Sequence, residues 1–400
     1  MSAVARCLWL CVAVLLAGLS GCHCGCQHPA ADPVDTGLPD AGVDAADVRD
    51  AEPQPDGTPT TWRLDAWVPA DACDATTIEL PPSGMTYLLQ VSNMGRYVAY
   101  DDYRIQGSYK WSDLYVYDLE TCTEHKVTDS QWNQAVPTIW GTDVVYSHSF
   151  VQGIGMELVL FDIETLTFNR LTTGAIATWA QHNSRHVAYL SALGHDPMEG
   201  MDLLLWDRLG GLETQLAEAS QGVEHISMSE THVAWVAWGG PDKDVFFSAL
   251  DSPQAVHVQS TWDPWVAHTS TWGDWVVWED TRYGGLDIQG LQLGAQTETR
   301  LVDNGAYNGW PVLRRGVMCF RTSLWSGVYG DWDLAVHDLE TGVTRRVTSQ
   351  SHYGYKCNFV DSGWLVYRQQ MTPSDQWFNK IWAVNLLKLG ILDTAGRVIP

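Results

Sequence analysis

Between Trp272 and Arg315, apolar residues come in short runs divided by Gly, Asp, Asn and Thr, and none keeps helical spacing long enough to make a helix. Trp275-Val276-Val277-Trp278 is followed by the turn Gly284-Gly285, the alternating stretch Leu286 to Leu291, then Gln296 to Leu301 and Gly309 to Leu313. Four such segments predict a four-stranded antiparallel unit. Its first segment recurs, with a closing aromatic at Tyr100, Tyr146, Tyr189, Trp235, Trp278, Phe320 and Tyr367, in steps of 46, 43, 46, 43, 42 and 47 residues. A second segment keeps pace, as in Asp113 to Glu120, Glu157 to Glu164, Asp202 to Asp207, Asp287 to Leu291, Asp333 to Glu340 and Lys380 to Leu386. Asp-Leu-Glu-Thr and its relatives end that segment, which suits a tight hairpin into a third strand such as His125 to Thr128 or Arg345 to Thr348.

Seven copies at a period of 42 to 47 residues predict radial repetition: an all-β, seven-bladed β-propeller, or six-bladed if the first or last copy is irregular. After Lys380 to Leu386 the C-terminal copy is short of one strand, and Thr76 to Leu80 is the candidate that supplies it, tying the two ends of the ring together. Thr86 to Val91 then opens the first unit.

The N-terminal region follows a different pattern. Residues 1–21 read as an export signal, with Arg6 before an apolar core from Leu8 to Leu19, too short and too early for a membrane span. Leu19-Ser20-Gly21-Cys22 resembles the lipobox of bacterial lipoproteins, which implies cleavage before Cys22 and its acylation, and His23 at the next position permits outer-membrane sorting. Residues 22–72 form the tether, in which ten acidic residues stand against Arg49 and Arg63 with few large apolar side chains, a composition that cannot repay its own ordering. The propeller domain takes residues 73–400.

A net charge of -25 with only 23 Lys and Arg excludes a nucleic-acid partner, because too little positive field faces phosphate. Of the 21 Trp, most are expected to pack between blades and some to line a ligand surface. Cys319 and Cys357 fall where neighbouring blades meet, and Cys73 and Cys122 where a bond would staple the closure; sequence does not decide between these pairs and isolated thiols. Of His125, His148, His182, His186, His195, His225, His232, His257, His268, His337 and His352, His182 and His186 show i,i+4 spacing but flank the entry to a strand, where that spacing gives no common helical face, and His232 and His268 take ordinary strand-edge positions. No catalytic residue, metal or cofactor is assigned.

The order of apolar strand, acidic residue, Arg and Gly, then Asp-Leu-Tyr-Val-Tyr-Asp-Leu-Glu-Thr and Val-Thr, resembles the blade repeats of the TolB-like β-propellers, most closely at residues 101–120, 331–348 and 280–285. Members of that family include a periplasmic part of a trans-envelope complex, regulatory propellers on serine peptidases, and some polysaccharide lyases. This chain has no evident N-terminal α/β domain, no hydrolase domain and no Gly-x-Ser-x-Gly elbow. Asp101, Asp102 and Arg104, with Glu279, Asp280 and Arg282, are expected at one mouth of the ring, either pinning loops or, with Tyr103, Tyr283 and Trp325, receiving a peptide or saccharide. The expectation is an outer-membrane lipoprotein, anchored by its lipid, whose propeller is a non-enzymatic scaffold for an envelope protein or a glycan. The alternatives are a polysaccharide lyase or other carbohydrate-active enzyme with its site at the mouth, and a purely structural surface component.

Overall fold

The computed structural model describes residues 75–81, 92–94, 96–102, 112–129, 132–149, 155–173, 176–192, 200–238, 242–258, 266–325, 327, 332–348, 356–359, 363–372 and 375–400. Cys22, Cys73, Tyr103, Arg104, His195, His352 and the segment Thr86 to Val91 lie outside them, as do the signal and the tether.

The described residues form seven four-stranded antiparallel sheets. Blade 1 holds β2 (Ser92–Met94), β3 (Tyr97–Asp102), β4 (Asp113–Asp118) and β5 (Thr123–Lys126), following β1 (Thr77–Glu79), which belongs to the last blade. Blade 2 is β6 (Gln134–Trp140), β7 (Asp143–His148), β8 (Glu157–Asp162) and β9 (Thr167–Arg170). Blade 3 is β10 (Ala177–His182), β11 (His186–Ser191), β12 (Asp202–Asp207) and β13 (Leu212–Ala217). Blade 4 is β14 (Glu224–Met228), β15 (His232–Trp238), β16 (Lys243–Ala249) and β17 (Val256–Val258). Blade 5 is β18 (Val266–Trp272), β19 (Trp275–Asp280), β20 (Asp287–Gln292) and β21 (Thr297–Val302). Blade 6 is β22 (Asn308–Arg314), β23 (Val317–Thr322), β24 (Asp333–Asp338) and β25 (Thr344–Arg346). Blade 7 is β26 (Lys356–Phe359), β27 (Trp364–Thr372) and β28 (Asp375–Asn385), completed by β1.

The first strands touch in the order β2, β6, β10, β14, β18, β22, β26 and back to β2, so they ring a central channel. The sequence repeat is therefore one strand out of phase with the blade: the apolar segment that opens each sequence unit is the second strand of a blade. That strand and its third-strand partner are packed on both faces, which explains their near-continuous apolar runs, buried along all of β3 and β4 except Tyr97 at the start. Seven apolar clusters fill the seven blade junctions. Trp235, Trp278 and Trp364 are buried in three of them, between blades as composition suggested.

Ring closure comes from β1, paired antiparallel with β28 through Ile78 opposite Ala383. Ile78 and Leu80 are buried there beside Val98 and Tyr100 of blade 1, worth about 1.5–3 kcal/mol each against leaving them in water. The end of the third strand explains the recurring Asp-Leu-Glu-Thr: Asp118, Asp162 and Asp338 each accept the backbone N–H two residues on, at 3.0, 2.9 and 2.9 Å. A carboxylate bonding its own turn fixes the hairpin without a special backbone conformation.

A second device recurs at the outer edge. The acid that starts the third strand pairs with a base on the fourth strand: Asp113 with Lys126, Glu157 with Arg170, Asp244 with His257, Asp287 with Arg300 and Asp333 with Arg346. In blade 7 the signs are exchanged, with Lys380 on the third strand and Glu79 on the N-terminal fourth strand, 2.6 Å apart. Cys319 of β23 and Cys357 of β26 are disulfide-bonded with Cα atoms 6.4 Å apart, joining blades 6 and 7. Cys122 is buried at the junction of blades 7 and 1 and is also disulfide-bonded, while its expected partner Cys73 is outside the described residues.

Candidate functional site

At one end of the channel, side chains from opposite sides of the ring meet. Trp140 of β6 stacks on Trp272 of β18, ring centroids 6.0 Å apart, although blades 2 and 5 are not neighbours. Arg314, ending β22, lies over both rings at 5.5 and 4.6 Å. All three residues stand at the ends of first strands, so the mouth is at the opposite face, where the first strands begin and the second strands end.

There the first strands of blades 2 to 6 carry the same irregularity. The pairing register breaks in each, and the residue at the break has a left-handed backbone: Val136 (φ 57), Trp179 (φ 54), His225 (φ 50), His268 (φ 47) and Trp310 (φ 55). A non-glycine residue held so costs about 1–2 kcal/mol, and it persists only where its surroundings over-determine it. Four of the five are aromatic, and three form one row: His225 to His268 at 4.1 Å and His268 to Trp310 at 4.5 Å between ring centroids. Arg321 extends the row, its guanidinium 4.4 Å from the centroids of both Trp310 and Trp332.

Glu279 anchors this row. Its side chain is fully buried. One oxygen is hydrogen-bonded to Nδ1 of His268, and the other accepts the Trp310 backbone N–H at 2.6 Å. Gly309 makes the approach possible, since a Cβ there would collide with the Glu279 carboxylate and stand 2.9 Å from Cδ2 of Leu286. The carboxylate thus fixes the imidazole's plane and favours the tautomer with its proton on Nδ1. The position after the closing aromatic holds a charge in four consecutive blades: Glu279, Arg321, Arg368 and, across the closure, Asp101. In blades 2 to 4 it holds Ser147, Leu190 and Val236. At this position the charge is thus confined to blades 5, 6, 7 and 1.

Burial pushes the Asp101 carboxyl well above the usual carboxylate range, with neighbouring Asp102 adding to the shift and Arg368 opposing it. Burial likewise lowers Arg368 to about 10, against the pull of Asp101. Asp102 is buried beside them. Asp280 and Arg282 form a loop clamp: Arg282 Nε donates to Asp280 at 2.6 Å, Trp278 Nε1 donates to the same carboxylate at 3.2 Å, and Arg282 also reaches Glu298. Burial raises the Asp280 carboxyl despite that arginine. Tyr283 and Trp325 stand on the mouth face, 55% and 39% exposed.

His268 is thus no ordinary strand-edge residue. Its signal in the sequence was its register with Val136, Trp179, His225 and Trp310, spaced 42 to 46 residues apart. His182 does belong to the scaffold: Nδ1 meets the Thr138 hydroxyl at 2.9 Å, Nε2 donates to the Asp143 carbonyl at 3.2 Å, and burial lowers it to about 3.

No protein-family model and no curated protein matches the chain. Solved structures do. An oligogalacturonate lyase in complex with manganese is 14% identical at a TM-score of 0.52, covering 78% of this chain and 91% of that one. The oligogalacturonate lyase of Vibrio parahaemolyticus is 11% identical at 0.54, covering 80% and 94%. Puromycin hydrolase is 14% identical at 0.58, covering 82% of this chain but only 55% of its own length. Likeness at this identity shows the fold alone. The expectation that the propeller is without enzymatic activity is corrected to this extent: the fold gives it no support, since lyases, a hydrolase and peptidases share this frame. The described residues of the mouth do not form a manganese site: among them no three His, Cys, Asp or Glu side chains converge, and both Glu279 oxygens are engaged.

Proposed function

We propose that the protein is a carbohydrate-active enzyme whose mouth carries out proton transfer on a uronate-containing oligosaccharide. The observation that carries this reading is the buried Glu279 holding Nδ1 of His268, beside an arginine on the same indole. β-Elimination needs a base for the proton next to the sugar carboxylate and a cation to neutralise that carboxylate. His268 and Arg321 lie within a ring's contact of Trp310 and supply the two. His268 removes the C5 proton, the electron pair forms the C4–C5 double bond, and the bond from C4 to the glycosidic oxygen breaks, that oxygen leaving as an alcohol after protonation by water. Glu279 orients the imidazole and stabilises the imidazolium, as a buried carboxylate does for a catalytic histidine elsewhere. The two oligogalacturonate lyases on this fold support the choice of substrate; in the elimination proposed for this chain, Arg321 takes the part of the carboxylate-neutralising cation.

In the same proposal, acylation at Cys22 anchors the protein to the outer membrane and residues 22–72 hold the propeller away from it, which rests on the lipobox-like Leu19 to Cys22. The test is incubation of the purified chain with oligogalacturonate while following absorbance of the unsaturated uronide. His268→Gln and Glu279→Gln are expected to lower the rate by about 100-fold or more, the range of a lost general base. Wild-type turnover that both variants match would refute the assignment.

A further inference from the structure

We infer that the mouth-side face of blades 4, 5 and 6, outward from the acid–base pair, is a glycan-binding surface with three aromatic platforms for an oligosaccharide. The inference rests on the reading above for the class of ligand, and its binding step needs neither His268 nor Glu279.

The platforms are Trp238, Tyr283 and Trp325, which are 42%, 55% and 39% exposed. Each stands at the loop joining the second and third strands of its blade, on the face where His268 opens. Each is backed by a cation that a carboxylate already holds. Lys243 lies 5.3 Å from the Trp238 ring centroid and 2.7 Å from Glu224. Arg300 lies 4.8 Å from the Tyr283 centroid and 2.8 Å from Asp287. Arg346 lies 5.1 Å from the Trp325 centroid and 2.8 Å from Asp333. The indole of Trp238 also rests on Gly222, where a Cβ would stand 2.8 Å from Cδ1.

Three partly exposed rings stand on consecutive blades, each in contact with a cation that a carboxylate holds. Because the backing cations are neutralised in place, the rim offers aromatic faces set among paired polar groups. A sugar ring matches that surface, with an apolar C–H face for the aromatic ring and hydroxyls around its edge for the charged groups. A protein partner fits worse: the core of a protein interface is contiguous and depleted of charge, whereas here Arg, Lys, Asp and Glu separate the rings. A chain that meets more than one platform gains a ring contact at each, so the surface also predicts preference for oligomers over disaccharides.

The experiment is calorimetric titration of the full chain with hexagalacturonate, cellohexaose and the matching disaccharides. Expected is binding of one hexasaccharide by the wild type, weakened about three- to tenfold by each of Trp238→Ala, Tyr283→Ala and Trp325→Ala. The triple variant should bind the hexasaccharide no better than the wild type binds the disaccharide, and Leu209→Ala, an exposed residue on the opposite face, should bind as the wild type does. The inference is overturned if the wild type binds neither hexasaccharide, or if the triple variant binds as the wild type. It is also overturned if a protein cross-links through Trp325 while glycans show no affinity. Wild-type binding without unsaturated product refutes the elimination and leaves the rim. Product formed by the triple variant with an unchanged KM overturns the rim and leaves the elimination.

Discussion

Gly309→Ala perturbs the mouth through a single methyl group. The added Cβ would enter the space of the Glu279 carboxylate and stand 2.9 Å from Cδ2 of buried Leu286. The backbone at Gly309 is not left-handed, so the change acts through space alone. Glu279 can yield only by giving up its bonds to His268 and to the Trp310 N–H, each a charge-assisted hydrogen bond worth about 1.5–3 kcal/mol. Overpacking costs about 1–3 kcal/mol by itself; since yielding relieves part of the clash, the two do not add fully, and we expect about 3–5 kcal/mol in all. Thermal and urea unfolding should register the loss, with Gly285→Ala as control because nothing lies within 4 Å of its Cβ position. Activity should fall together with stability, since the imidazole loses its orienting carboxylate. The decisive comparison is a double-mutant cycle. In a Glu279→Ala background only the contact with Leu286 remains, and the cost should drop by about 2 kcal/mol or more, because contacting residues couple. An equal cost in both backgrounds would refute the reasoning, showing that the carboxylate does not fill that space.

Three further outcomes are expected. His182, lowered to about 3, and His148, lowered to about 4, are held neutral chiefly by burial; the unfolded chain binds protons they refuse, so stability should fall as pH drops below about 6.5, at up to about 1.4 kcal/mol per pH unit for each. Urea midpoints at several pH values check this, and His182→Gln should flatten the slope. Opening Cys319–Cys357, which closes a separation of 38 residues, should cost about 3–4 kcal/mol in the chain-entropy account; thermal unfolding of Cys319→Ser measures it, and non-reduced peptide mapping is expected to pair Cys122 with Cys73. Glu79→Lys should weaken ring closure by about 0.5–1 kcal/mol, and Lys380→Glu added to it should restore stability, because the exchanged signs of blade 7 make the pair work in either direction.

Much of the fold was legible in the chain because a propeller repeats one local solution. Tyr100, Tyr146, Tyr189, Trp235, Trp278, Phe320 and Tyr367 mark the same place in every blade, and any strand packed on both faces must write that mark in apolar residues. Even the closing strand could be placed, since the last copy lacked a partner and Thr76 to Leu80 had none. The phase of the blade could not be read, because periodicity alone does not say which strand of a repeat faces the axis. The site was hidden for a different reason. Glu279 and Asp280 are adjacent in sequence but point to opposite sides of β19, one to His268 and the next blade, the other to Arg282 and its own loop. Charge type at a position was visible in the sequence; the direction of the side chain and the register break at His268 were set only when neighbouring blades closed around them. The sequence alone determined the architecture, because repetition is a one-dimensional property. Tertiary structure alone decided the mouth, because it assembles one residue from each of several blades, and their meeting depends on a ring that no single repeat contains.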